Sequence, residues 1–87
     1  MERPKVYGAD WCGATRRTLS QLDQLGVEYE YIDVDNDPAA SEWVKSQNNG
    51  KEKKPTLKIG DKVLTDPSNR ELEEALQGEH GSVKRGG

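Results

Sequence analysis

The chain holds a single cysteine, Cys12, within the stretch Ala9-Asp10-Trp11-Cys12-Gly13-Ala14-Thr15-Arg16-Arg17. A thiol is a nucleophile only as its thiolate, so the useful question is what would ionise it. The start of a helix does so, because unpaired N–H groups and the positive end of the helix dipole both point there. Cysteines at such positions have pKa values lowered to about 3.5–7.5. Thr15 follows three residues later, where a helix would turn its hydroxyl toward the sulfur as a hydrogen-bond donor. Arg16, at i+4, would add positive charge on the same face. Gly13 would let the backbone approach a partner closely, and Trp11 offers an aromatic surface beside the thiol. The plainer reading is a small buried cysteine, with Trp11 a core aromatic and Arg17 a solvated helix residue. A strand end, a Trp-Cys-Gly and a helix start coincide here, which favours the reactive thiol.

One cysteine cannot close an internal disulfide, so a disulfide scaffold and a CxxC zinc site are both excluded. His80 is the one histidine, and a Cys/His metal site is not expected.

The elements that must position Cys12 follow from periodicity. Lys5-Val6-Tyr7, closed by Gly8, reads as a first strand. A helix is predicted from Ala14 to Leu25, with Leu19, Leu22 and Leu25 on one face, Thr15 and Thr18 extending it, and Gly26 as the stop. Val27 to Val34 alternates and is rich in β-branched and aromatic residues, which predicts a second strand. The pair forms a βαβ unit with parallel strands. Asp37 and Pro38 open a second helix, Asp37 as cap and Pro38 at the first position. It runs to Gln47, burying Ala40, Trp43 and Val44. Thr56-Leu57-Lys58-Ile59, Gly60-Asp61 and Lys62-Val63-Leu64 predict a hairpin with a two-residue turn. Ser68-Asn69-Arg70-Glu71 is a capping box for a third helix through Leu72, Ala75 and Leu76, with Gly78 as its end.

With 87 residues the chain is one domain, 1–78, followed by a tail, 79–87, expected to be mobile. Apolar residues are 31% of the chain and Phe is absent, so the core must come from Val, Leu, Ile, Trp and Tyr. The formal net charge of −3 argues against a nucleic-acid partner, which would call for a basic stripe. No apolar run approaches the ~20 residues of a membrane span. Met1-Glu2-Arg3-Pro4 lacks an apolar leader, so the cytoplasm is the expected location.

Trp11-Cys12-Gly13-Ala14-Thr15 after a first strand resembles the active-site motif of glutaredoxin-like proteins, and the resemblance extends from Lys5 to about Gln77. It implies an α/β thioredoxin-like (glutaredoxin) fold of order βαβαββα, a four-stranded mixed sheet flanked by three helices. In the family the motif is Cys-x-x-Cys, or Cys-x-x-Ser in monothiol members, and Thr15 takes the second position here. The resemblance also implies a cis bond before Pro55, opposite the cysteine. The family's usual Thr-Val before that proline is Lys53-Lys54 in this chain. Leu64-Thr65-Asp66-Pro67-Ser68 is similar to a turn of the mycoredoxin kind that helps hold a small thiol. The implied site is therefore Cys12 as nucleophile and Thr15 and Arg16 as thiolate stabilisers. Trp11, Gly13, Lys54, Pro55, Thr65 and Asp66 would line the groove, where the Lys54 ammonium could also stabilise a thiolate or a ligand carboxylate.

The implied activity is thiol–disulfide exchange by a monothiol route. Its co-substrate is a low-molecular-weight thiol, glutathione or mycothiol, and its substrates are protein or small-molecule mixed disulfides. No metal is expected, and a monomer is. Two other readings use the same residues: an iron–sulfur carrier of the monothiol type, and a non-catalytic interaction module on a thioredoxin fold.

Overall fold

The computed structural model describes residues 3–80. Its elements are β1 (Lys5–Gly8), α1 (Gly13–Gln24), β2 (Glu30–Asp33), α2 (Pro38–Gln47), β3 (Thr56–Ile59), β4 (Lys62–Thr65) and α3 (Asn69–His80), with a 3-10 turn at Val34–Asn36 between β2 and α2. This is the expected βαβαββα order. The strands form one sheet in the order β2-β1-β3-β4. β1 runs parallel to β2 and antiparallel to β3, and β4 is antiparallel to β3.

The pleat sends alternate residues to opposite faces. Val6, Leu57 and Ile59 face α1 and α3, where they pack with Leu22, Leu72, Ala75 and Leu76. Tyr7 and Val34 face α2, where they pack with Ala40 and Val44. Trp43 is only half-buried: it lies against the Tyr7 ring, centroids 4.5 Å apart and planes 28° from parallel.

Local signals set the ends of the helices. The Asp37 carboxylate accepts from the Ala40 N–H at 3.1 Å and Pro38 follows at the first helical position. At α3 the capping box closes in both directions, Glu71 N–H to Ser68 Oγ at 3.1 Å and Ser68 N–H to Glu71 Oε1 at 2.8 Å. Gly26 takes φ +73° just past α1, where Val27 N–H donates to the Leu22 carbonyl at 3.0 Å. Gly60 opens the hairpin turn at φ +60°.

Three expectations need correction. The second strand is four residues, not the eight of Val27–Val34. Val27 is tied back to α1, Glu30 N–H pairs with the Pro4 carbonyl at 2.8 Å, and the Asp33 carboxylate caps a helical turn that ends pairing. Leu25 leaves the core and is 43% exposed, while Gln21 is buried instead, its amide donating to Glu73 Oε2 on α3 at 3.2 Å. The third helix passes through Gly78 to His80. Gly78 sits inside the helix, where a Cβ would meet only the flexible end of the exposed Lys62 side chain at 3.1 Å, so this glycine neither stops the helix nor is demanded by packing. The mobile tail expected for 79–87 falls, from residue 81 onward, outside the described residues. Among the described residues no helix is long and apolar enough to cross a membrane.

Candidate active site

Cys12 sits at the N-cap of α1 with extended backbone, φ −84° and ψ 118°. Its N–H donates to the Ala9 carbonyl at 3.1 Å and its carbonyl accepts from Arg16 N–H at 3.1 Å, which closes the first turn beneath the sulfur. The side chain is half-buried. Across the groove the Lys54–Pro55 bond is cis, as the resemblance implies, and Sγ lies 3.9 Å from the Lys54 carbonyl oxygen.

Thr15 is fully buried. Its hydroxyl oxygen accepts from the Ala9 N–H at 3.4 Å. Gly8 makes this possible, because a Cβ there would stand 2.5 Å from Thr15 Oγ1 and Cγ2. Burial pushes the Cys12 thiol up. The hydrogen bonds from the Thr15 side chain and from the Thr15 and Ala14 N–H groups, with the Lys54 charge, outweigh it and hold the thiol below its ordinary 9.0.

The cation that acts on the sulfur is therefore Lys54. Arg16 is exposed, and its contact with the site is the backbone bond to the Cys12 carbonyl. The Lys54 ammonium lies 5.0 Å from the centroid of the Trp11 ring and 2.8 Å from Glu52 Oε1. Trp11 is 67% exposed, but its indole N–H donates to Asp35 Oδ2 at 2.7 Å, so the ring has a fixed orientation. One residue earlier, Asp10 Oδ1 accepts from the Tyr31 hydroxyl at 2.6 Å, and burial and that carboxylate push the Tyr31 phenol up. Both bonds moor the β1–α1 loop to the β2 side of the sheet.

Pro55 is buried, and its carbonyl accepts from Asp66 N–H at 2.8 Å, with Asp66 at φ +46°. This bond carries the turn after β4 to the cis-proline. The Thr65 hydroxyl points elsewhere, donating to Asn48 Oδ1 at 2.7 Å. A side chain at Gly13 would meet nothing within 4 Å, so packing does not require glycine there.

The structure thus gathers Cys12, Thr15, Trp11, Lys54 and Pro55 at one point. Asp66 joins them through its backbone bond to Pro55, the Thr65 hydroxyl turns to Asn48, and Arg16 stays exposed. Sequence reasoning missed Gly8, Asp35, Asn48 and Glu52. Asn48 bridges three elements, its amide donating to the Val44 carbonyl at 2.8 Å and to Thr56 Oγ1 at 3.2 Å while its oxygen accepts from Thr65. The bonds that give these positions their roles are mostly long-range, Trp11 to Asp35, Asn48 to Thr65 and Ser41 to Glu52, and no local pattern announces them.

The glutaredoxin family model matches residues 5–64, from the first strand into the last one. The chain belongs to the glutaredoxin family. Membership places it among thiol–disulfide oxidoreductases, whose family chemistry is exchange on mixed disulfides with low-molecular-weight thiols. It is 46% identical over 61 residues to Mycoredoxin 1 of Corynebacterium glutamicum, covering 70% of this chain and 75% of that one. A Mycobacterium tuberculosis relative is 35% identical over 72 residues, 82% of this chain and 86% of its own. Among solved structures, the glutaredoxin of Archaeoglobus fulgidus superposes with TM-score 0.79 at 29% identity, covering 90% of this chain and 89% of that one. The thioredoxin-like fold expected of a glutaredoxin is therefore the fold observed.

Proposed function

We propose that this glutaredoxin works by a monothiol route through Cys12. The Cys12 thiolate attacks the small-thiol sulfur of a mixed disulfide. A new disulfide forms between Cys12 and the small thiol, and the old bond breaks to release the substrate as a thiolate, which takes up a proton. A second small-thiol thiolate then attacks the Cys12 mixed disulfide. It leaves as the small-thiol disulfide, and Cys12 returns as thiolate. Each step exchanges one disulfide for another, so no further oxidant or reductant is needed.

The observation that carries this reading is the half-buried Sγ at the start of α1, 3.9 Å from the carbonyl before a cis-proline. The Thr15 hydroxyl supports the thiolate directly, and Arg16 adds a weaker, solvent-screened charge. Thr15 stands where a dithiol member has its second sulfur, so the resolving thiol must come from outside. Trp11, Gly13, Lys54, Pro55, Thr65 and Asp66 line the groove that receives the small thiol. The likeness to a mycoredoxin favours mycothiol over glutathione. The chain acts as a monomer in the cytoplasm.

Intact-protein mass spectrometry after incubation with mycothiol disulfide, and separately with oxidised glutathione, tests the reading. One adduct on Cys12, larger in yield with mycothiol and absent from Cys12→Ser, is expected. No adduct with either, together with a thiol of ordinary acidity, overturns it.

A further inference from the structure

The exchange steps leave Glu52 unused, although it is a partly buried carboxylate in the loop that leads to Pro55. Glu52 Oε1 accepts from the Lys54 ammonium at 2.8 Å, and Oε2 accepts from the Ser41 hydroxyl on α2. The Lys54 side chain is 14% exposed and the Glu52 side chain 26%. A free lysine samples many rotamers, and holding one costs side-chain entropy. Here three groups share that cost: the Glu52 carboxylate, the Trp11 ring 5.0 Å from Nζ, and helix α2, which anchors Glu52 through Ser41. Trp11 is itself held by Asp35. The ammonium is thus held between Glu52 and the Trp11 ring, and it belongs to the residue whose own carbonyl lies 3.9 Å from Sγ.

We propose that Glu52 is a positioning residue that clamps the Lys54 ammonium across the face of Trp11, so that the cation stands at the Cys12 reaction centre and not in solvent. The inference rests on Cys12 being the nucleophile. During exchange, negative charge moves from Cys12 Sγ to the departing sulfur. A cation held at that place before the reaction needs no reorganisation to stabilise it. Glu52 offsets part of the positive charge, yet without it the lysine is free to extend into water, where screening removes most of its effect. The hydrogen bonds from Lys54 and then Ser41 hold the Glu52 carboxyl below its ordinary 4.5, with burial opposing and the charges of Lys54 and Lys45 adding to them. Glu52 is therefore a carboxylate at neutral pH.

The test is the pH titration of the thiolate absorbance near 240 nm in the full chain, with melting curves confirming that each variant is folded. Lys54→Met is expected to raise the thiol pKa by on the order of 0.5 unit, the scale of one near-surface charge. Glu52→Ala is expected to raise it by at least half as much, and Glu52→Gln, whose amide oxygen still accepts from Lys54, by less. The double variant Glu52→Ala/Lys54→Met should show no rise beyond that of Lys54→Met alone, because Glu52 then has no ammonium to hold. The rate of adduct formation at pH 6 should fall with the thiolate fraction. A lower thiol pKa in Glu52→Ala, as loss of a nearby negative charge alone would give, overturns the clamp. So does an unmoved value in either single variant. Failure of the clamp is distinct from failure of the thiol reading, which would show as an ordinary thiol pKa in the unaltered protein.

Discussion

On one face of the sheet Val6, Leu57 and Ile59 meet two helices through a mainly aliphatic core, with Tyr29 and Tyr31 at its margin and one polar link, Gln21 to Glu73, between the helices; on the other, Tyr7 and Val34 meet one helix, with an aromatic stack at its margin. The polar anchors that reach the groove lie on the second face. Asn48 ties the end of α2 to β3 and β4, and Ser41 ties α2 to Glu52 and so to Lys54. Burial without polar partners gives stability but little direction, because the hydrophobic effect is non-directional. Hydrogen bonds add less net free energy but fix angles and distances. The α1/α3 face should therefore set how stable the domain is, and the α2 face how the groove beside Cys12 is shaped.

The largest expected effect tests this division. Leu57→Ala, at a fully buried site, should cost about 2–5 kcal/mol in urea unfolding, a large share of a small domain's stability, and leave the thiol pKa of the folded fraction in place. Val44→Ala on the α2 face should cost less, about 2 kcal/mol, and should also slow adduct formation. If Leu57→Ala moves the thiol as much as Val44→Ala, the two faces do not divide the work.

Next in size is Thr15→Val, which keeps the volume and deletes the hydroxyl. The buried Ala9 N–H loses its acceptor, at a cost of about 1–3 kcal/mol, and the sulfur loses a donor. Unfolding midpoint and thiol titration should shift together, the thiol pKa upward. A loss of stability with an unchanged thiol would assign Thr15 to packing alone.

A smaller effect is the pH dependence of stability. The Cys12 thiol is more acidic folded than unfolded. Its contribution is then fully present above the unfolded pKa and lost as pH falls through the folded one. Denaturation midpoints between pH 6 and 10 should rise with pH across that window, and Cys12→Ser should remove this component. The smallest change expected is Arg16→Ala, a surface substitution within about 0.5 kcal/mol, moving the thiol less than Lys54→Met does.

Much of the fold was legible because its signals are local. The Asp37-Pro38 start, the Ser68–Glu71 capping box and the Gly60-Asp61 turn each involve residues a few positions apart, and the structure keeps all three. Gly78 misled for the same reason: glycine often ends helices, but α3 runs through it to His80. Arg16 was legible as a nearby charge, yet i+4 spacing on a helix does not say whether a side chain turns toward the sulfur or toward water.

By itself, the sequence determined that one thiol would stand where a strand gives way to a helix, and which runs would bury their faces. These depend on periodicity and on caps, which act over a single turn or pleat. Only the tertiary structure decided which cation stands near that thiol. Lys54 outranks Arg16 because the antiparallel pairing of β1 with β3 brings the Pro55 loop across the start of α1, and Glu52 and Trp11 then hold the lysine. Charge–charge energy depends on distance through space, and the fold, not chain order, sets that distance.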